Sequence, residues 1–268
     1  MLKSTVCRYE HFLTPWYARW AERLELNPVV AAGNNDCYRK FWEWTVIVHA
    51  LEERGMLAPG KKGIGFAVGR EPLSSLFAAR GVEVLATDLD ADDSGLWIAG
   101  NQHASGLAAL HHESICDTDS FNSLVHFQPA DMRDITTLPS ETYDFAWSSC
   151  AMEHLGTLDD GLDFVRKAMR LLKPGGVAVH TTEFNCSSNS DTITEGWNVI
   201  YRRQDIEGLD YSLRPMRCGV EAFDSDVGTH PFDLDYDEAP FLTRGKPHIK
   251  LMLDGYVSTS ALLIVRKH

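Results

Sequence analysis

The chain has 268 residues and carries 25 Lys and Arg against 38 Asp and Glu, a formal net charge of −13. A chain of that sign repels a polyanion, so a nucleic-acid groove, which needs a basic footprint, is disfavoured. Hydrophobic residues at 44% beside 24% charged ones suit a globular protein with a sizeable core. No apolar run approaches the roughly 20 residues of a membrane span, and Met1-Leu2-Lys3-Ser4-Thr5 lacks the apolar segment of a secretory leader. Cys7, Cys37, Cys116, Cys150, Cys186 and Cys218 form no CxxC pair, so neither a zinc ribbon nor a disulfide framework fits. A reduced, cytoplasmic protein is the expectation.

Residues 1–58 are rich in aromatics and read as a helical cap. Asn35 to Gly55 places Tyr38, Phe41, Trp42, Trp44, Ile47, Val48 and Leu51 near helical spacing, with Gly55 as the stop. This is a packing helix first; as a lid, it would bring Tyr38, Arg39 or Trp42 to a ligand. From Lys61 short apolar runs alternate with helical stretches: Ile64–Val68 (strand), Leu73–Arg80 (helix), Val82–Thr87 (strand), Leu124–Gln128 (strand), Tyr143–Ser148 (strand), Leu158–Leu172 (helix) and Val177–Thr182 (strand). That rhythm predicts a parallel sheet covered on both faces. The close differs, with a helix over Gln204–Leu213 and strands at Cys218–Phe223 and Ser258–Val265 joined without a helix, an antiparallel pair at the edge. Between them lies an acidic insertion, residues 224–250, which reads as a solvated face.

The chemistry starts at the Gly-rich turn Gly63-Ile64-Gly65-Phe66-Ala67-Val68-Gly69, which is followed by a helix. Glycine permits a tight turn and close approach to a ligand, and a helix N-terminus favours negative groups. The spacing is GxGxxxG, not the GxGxxG of dinucleotide-binding enzymes. Asp88 ends the second strand, where an acid accepts hydrogen bonds from both hydroxyls of a ribose. Asp131-Met132 follows the third strand, placed for an adenine amino group and ring. The fourth strand runs into Ser149-Cys150-Ala151-Met152-Glu153-His154, and Leu171 to Gly176 turns into the fifth.

With these motifs in order over residues 60–185, the sequence resembles the class I S-adenosylmethionine-dependent methyltransferases. The resemblance implies a Rossmann-like α/β fold: a mostly parallel seven-stranded sheet with an antiparallel edge strand, the core at residues 59–185 and a C-terminal part at 186–268. It implies that S-adenosylmethionine is held by Gly63, Gly65, Phe66, Gly69, Asp88, Leu89, Asp131, Met132 and Ser148. One departure is that the family's usual acid is replaced by Gly63, so turn carbonyls or a residue from the N-terminal helix must hold the cofactor's ammonium. The segments Gly69 to Pro72, Thr181 to Asn185 and Pro247 to Leu251 also resemble uncharacterised methyltransferases associated with surface-polysaccharide assembly.

Ligands of parallel sheets sit beyond the carboxyl ends of the strands. By that rule Glu153 and His154, after the fourth strand, and Glu183 and Asn185, after the fifth, face the acceptor. His154, Glu153 and Glu183 are the catalytic candidates, since an alcohol acceptor must lose its proton as it attacks. Asn185, His248 and Lys250 are candidates for binding the acceptor. A subset of the family, the quinone-biosynthesis O-methyltransferases, binds a divalent cation through acids and a Glu-His pair; this chain keeps Glu153 and His154 but has Cys150 in place of an acid. The reading is methyl transfer to a hydroxyl of a small or carbohydrate acceptor. The rivals are a nicotinamide-dependent oxidoreductase, which wants GxGxxG, and a non-catalytic binding protein of the same fold.

Overall fold

The computed structural model describes residues 1–26, 37–90, 103–104 and 106–268. The N-terminal stretch, expected to be wholly helical, opens with a buried strand, β1 (Ser4–Val6), before α1 (Tyr9–Phe12) and α2 (Pro15–Arg23). Thr14 caps α2 by accepting from the Tyr17 N–H, and Pro15 occupies its first turn, where no N–H is needed. The aromatic-rich segment forms α3 (Arg39–Glu53), shorter at both ends than its apolar pattern suggested; residues 35–36 lie outside the described residues.

The α/β alternation then appears as read, within a few residues. β2 (Lys62–Phe66), α4 (Leu73–Ala79), β3 (Glu83–Asp88), α5 (Thr118–Leu124), β4 (Val125–Pro129), β5 (Tyr143–Ser149), α6 (Leu158–Leu171) and β6 (Leu172–Asn185) build the parallel half. α7 (Arg203–Leu213), β7 (Cys218–Val220), β8 (Phe223–Asp224), α8 (Pro231–Leu234), β9 (Leu251–Leu253) and β10 (Tyr256–Lys267) complete the chain. The sheet order is β4-β3-β2-β5-β6-β10-β1-β8, with β7 and β9 also paired to β10. β10 runs antiparallel to β6 over nine residue pairs, and the late antiparallel pair that was expected is β7 with β10. Its far side is shared by three short strands, β9, β1 and β7, in place of one long one. Among the described residues the sheet has ten strands against seven expected, the three additional ones being β1, β8 and β9.

Strand alternation divides the core between the two faces. Phe145, Trp147, Val177, Val179, Leu262 and Ile264 face α3 and α4, while Ala146, Ala178, Leu263 and Val265 face α6 and α7. Gly63 stands opposite Phe145 and Gly65 opposite Trp147 in the β2–β5 ladder. A Cβ at either glycine would lie 2.3 Å from the aromatic ring beside it. These two glycines therefore lie inside a strand and make room for aromatic side chains; they do not form the turn. The turn itself is Ala67-Val68-Gly69, with φ of 47° at Ala67 and 52° at Gly69.

Candidate active site

The carboxyl ends of β2, β3, β5 and β6 share one rim of the sheet, and α3 lies across β5, β6 and β10. Asp88 closes β3 beneath the 67–69 turn. One of its carboxylate oxygens, Oδ2, accepts from the Gly69 N–H at 3.0 Å and the Ala104 N–H at 3.2 Å, while Oδ1 accepts from Leu89 at 2.8 Å. A carboxylate offers about four acceptor directions, so one remains for a ligand hydroxyl. The Leu89 carbonyl in turn bonds the His103 ring at 2.9 Å. Next to the turn, Glu71 is 4% exposed and accepts from Trp147 Nε1 at 2.6 Å. Burial pushes its carboxyl up to about 8, and the nearby Asp88 and Glu43 charges act in the same direction.

The second half of the site comes from α3. Arg39 and Glu43 are buried although the rest of that helix face is apolar. Arg39 grips Glu183 through both guanidinium nitrogens, and Ser258 donates to the same carboxylate at 2.5 Å. Glu43 accepts from Lys40 at 3.0 Å and Ser149 at 3.3 Å with one oxygen and from Ser260 with the other. Burial raises the Glu183 carboxyl, but the paired Arg39 outweighs it and holds the group below its ordinary value. This helix thus carries charges that tie it to the ends of β5, β6 and β10.

Cys150, Glu153 and Glu183 bring potential ligand atoms within 4.8 Å of one another. Glu153 accepts from Thr182 at 3.0 Å, and its Oε1 is buried without a partner. Burial, followed by the charge of Glu183, pushes the Glu153 carboxyl up, though the neighbouring His154 opposes them. The set does not fit a hard divalent cation. Burial raises the Cys150 thiol well above its ordinary value, Arg39 already neutralises Glu183, and such cations take about six to eight oxygens. His154 stands apart from the three, with Nδ1 at 2.9 Å from the Trp197 carbonyl and its ring beside the Trp197 ring.

The sequence profile of the methyltransferase domain family matches residues 65–180, the stretch that forms most of this rim. Over these residues the chain is similar to that family. Malonyl-[acyl-carrier protein] O-methyltransferase of Salmonella typhimurium is 27% identical over 152 residues, 54% of this chain and 50% of that protein. The chain thus spans about half the length of the curated relative it matches. In fold it is similar to phosphoethanolamine N-methyltransferase 2 of Haemonchus contortus, solved with S-adenosylhomocysteine (TM-score 0.53, 15% identity, 84% of this chain and 52% of that one). The cyclase SpnF is similar too (TM-score 0.54, 15% identity, 83% and 80% of the two chains).

Within this fold, the residues expected to hold the cofactor separate into two groups. Gly69, Asp88, Leu89 and Asp131 lie at the rim, although Asp131 is forked by Arg133 of its own loop. Gly63, Gly65, Phe66, Met132 and Ser148 are interior. Phe66 packs on Phe164, Met132 joins the core on the α6 face, and Ser148 bonds His180, whose ring burial pushes down to about 3. Two buried acids, Glu71 next to the turn and Glu43 on α3, were not singled out. The sequence signal at Glu43 was an acid on an otherwise apolar helix face.

On the acceptor side, Glu153 and Glu183 do converge. Asn185 spends its amide on Asp191 and Thr192 and its carbonyl on Ser187 and Ser188, so it holds a loop. Lys250 is interior, donating to the Cys7 carbonyl at 2.7 Å. Of the lid candidates, Trp42 is core and donates to His11, Arg39 holds Glu183, and only Tyr38 stays half-buried, beside His248. The insertion is not simply a solvated face: Asp233 and Asp237 are buried, and Arg8 gathers Asp224 and Asp226. No described helix is long and apolar enough to cross a membrane.

Proposed function

We propose that this protein transfers a methyl group from S-adenosylmethionine to a hydroxyl of a small or carbohydrate acceptor. The observation that carries the reading is the shared rim, where a tight turn, the strand-end acid Asp88 and the buried acids Glu43 and Glu71 surround one end of the sheet. Asp88 takes a ribose hydroxyl; Gly69 and Leu89 shape the wall beside it, and Asp131 stands at the adenine end. Glu43 and Glu71 supply the negative charge that a sulfonium and an ammonium need, in place of the acid missing at Gly63. When bound, the cofactor supplies an electrophilic methyl carbon, and the chain's own contribution is positioning and charge. Glu153 and Glu183, with His154 at the outer edge, orient the acceptor.

An oxygen acceptor agrees with the O-methyltransferase among the relatives. A polyol suits a rim of Glu, Ser and His, because a sugar presents many donors and a dry pocket would leave them unpaired. Calorimetric titration with S-adenosylhomocysteine and with NAD tests the cofactor. Tight binding of the first and none of the second is expected; the reverse overturns the reading. Formation of S-adenosylhomocysteine with methyl glycosides then tests the acceptor class. The same fold serves a cyclase, so binding without turnover would favour a different use of the rim.

A further inference from the structure

His248, expected to bind the acceptor, and Asp237 both belong to the insertion, and neither has a role in the chemistry described so far. Asp237 is fully buried, and its Oδ2 lies 2.8 Å from His248 Nδ1. The same carboxylate accepts backbone N–H groups from Glu238 at 2.9 Å and Leu242 at 2.8 Å, so its position is over-determined. His248 itself is 7% exposed, and its carbonyl accepts from the Arg39 N–H at 3.1 Å, which ties it to the first turn of α3. Among the described residues Nε2 has no hydrogen-bond partner, while Tyr38 and Phe241 flank the ring at 5.2 and 5.9 Å between centroids. A carboxylate that holds Nδ1–H leaves the lone pair on Nε2, the tautomer that accepts a proton. His154 favours the same tautomer through the Trp197 carbonyl, but a neutral carbonyl steadies an imidazolium less than a carboxylate does.

We propose that His248 is the general base of the methyl transfer and that Asp237 is its positioning residue. The inference rests on the methyltransferase reading above and deepens it. Nε2 takes the proton of the acceptor hydroxyl as the oxygen bonds to the methyl carbon; the C–S electron pair goes to sulfur, leaving a neutral thioether, and the imidazolium later gives its proton to water. Asp237 steadies that imidazolium. The charged groups facing His248 are Asp237 from the insertion and Arg39 and Glu43 from α3, with the Tyr38 ring beside it. Burial lowers the imidazole below its ordinary value, with Arg39 in the same direction and Asp237 and Glu43 against them. His248 is therefore neutral, and competent as a base, at pH 7.

The dyad is read first without turnover. In 15N spectra of the protein saturated with S-adenosylhomocysteine, His248 should show a protonated Nδ1 and a bare Nε2 at pH 7, and Asp237→Asn should disturb that tautomer. Carbethoxylation by diethyl pyrocarbonate, located by peptide mass, should mark His248. With methyl glycosides as acceptors, His248→Asn should lower kcat by about 10²–10⁴-fold and leave S-adenosylhomocysteine affinity unchanged. Asp237→Asn should lower kcat less and move the midpoint of the pH–rate profile. A kcat within threefold of wild type in His248→Asn, or a protonated Nε2 at pH 7, overturns the proposal. Failure of the wild type to bind S-adenosylhomocysteine would overturn the cofactor reading instead, and the tautomer and labelling results would still decide the dyad.

Discussion

Glu71→Gln should make the protein more stable in alkaline solution. Gln preserves the shape and the acceptor that takes the Trp147 N–H at 2.6 Å, and removes only the ability to ionise. The native carboxyl holds its proton up to about 8, against 4.5 when the side chain is free of the fold. Between those values the native state binds more protons than the unfolded chain, so its stability falls as pH rises. Each pH unit across that interval is worth about 1.4 kcal/mol, which amounts to roughly 5 kcal/mol by pH 9 as an upper figure. That is a large share of the ~5–15 kcal/mol that holds a typical protein together. Urea unfolding followed by tryptophan emission, for wild type and variant at pH 5, 7 and 9, measures it directly. The two should nearly coincide at pH 5, and the variant should lead by several kcal/mol at pH 9. Parallel stability curves would refute the argument. A bound sulfonium should ionise Glu71, so cofactor binding near pH 7 should release a proton to the buffer.

Three further outcomes follow from the same geometry. Asp88→Ala should weaken S-adenosylhomocysteine binding by about 1.5–3 kcal/mol, the scale of hydrogen bonds to a charged group; an unchanged Kd in a folded variant would remove Asp88 from the ribose site. Glu183→Gln leaves the buried Arg39 without its counter-charge and should cost about 3–5 kcal/mol at pH 7. Because the folded carboxyl sits below 4.5, that loss should shrink as pH falls through the folded value, and a deficit that persists at pH 2–3 would contradict the pairing. Gly65→Ala would place a Cβ 2.3 Å from Trp147 Cζ2 and should cost about 1–3 kcal/mol with a change in tryptophan emission, whereas a neutral result would mean that the β2–β5 interface has slack.

The parallel core was legible because its strands are short apolar or aromatic runs separated by helical stretches and punctuated by Gly and Pro. β1 was not: Ser4-Thr5-Val6 has the composition of a polar terminus, and its burial is imposed by Leu262 and Ala261 on β10. The Gly63 and Gly65 pair misled for a related reason. Glycine marks turns and close packing alike, and only the register with Phe145 and Trp147 separates them. Asp88 was legible as a strand-end acid. The roles of Glu43, Glu71 and Asp237 were not, because apolar spacing marks what is buried but says nothing of which carboxylate meets a lysine, an indole or an imidazole.

The placement of β1 and α3 sets the order in which the molecule can assemble. Ser4 waits for the amide of Ile264, 260 residues later, and Arg39 waits 144 residues for Glu183. As the chain is synthesised from its N-terminus, α3 emerges early and Arg39 has to wait for its carboxylate. Contacts of such span carry a loop-closure cost before they return any stabilisation, and they slow folding. The parallel strands β2 to β6 can associate first, but the charged side of α3 stays open until β10 slides in against β6. Closing the sheet and completing the rim are one event, so no early intermediate of this chain holds a finished site.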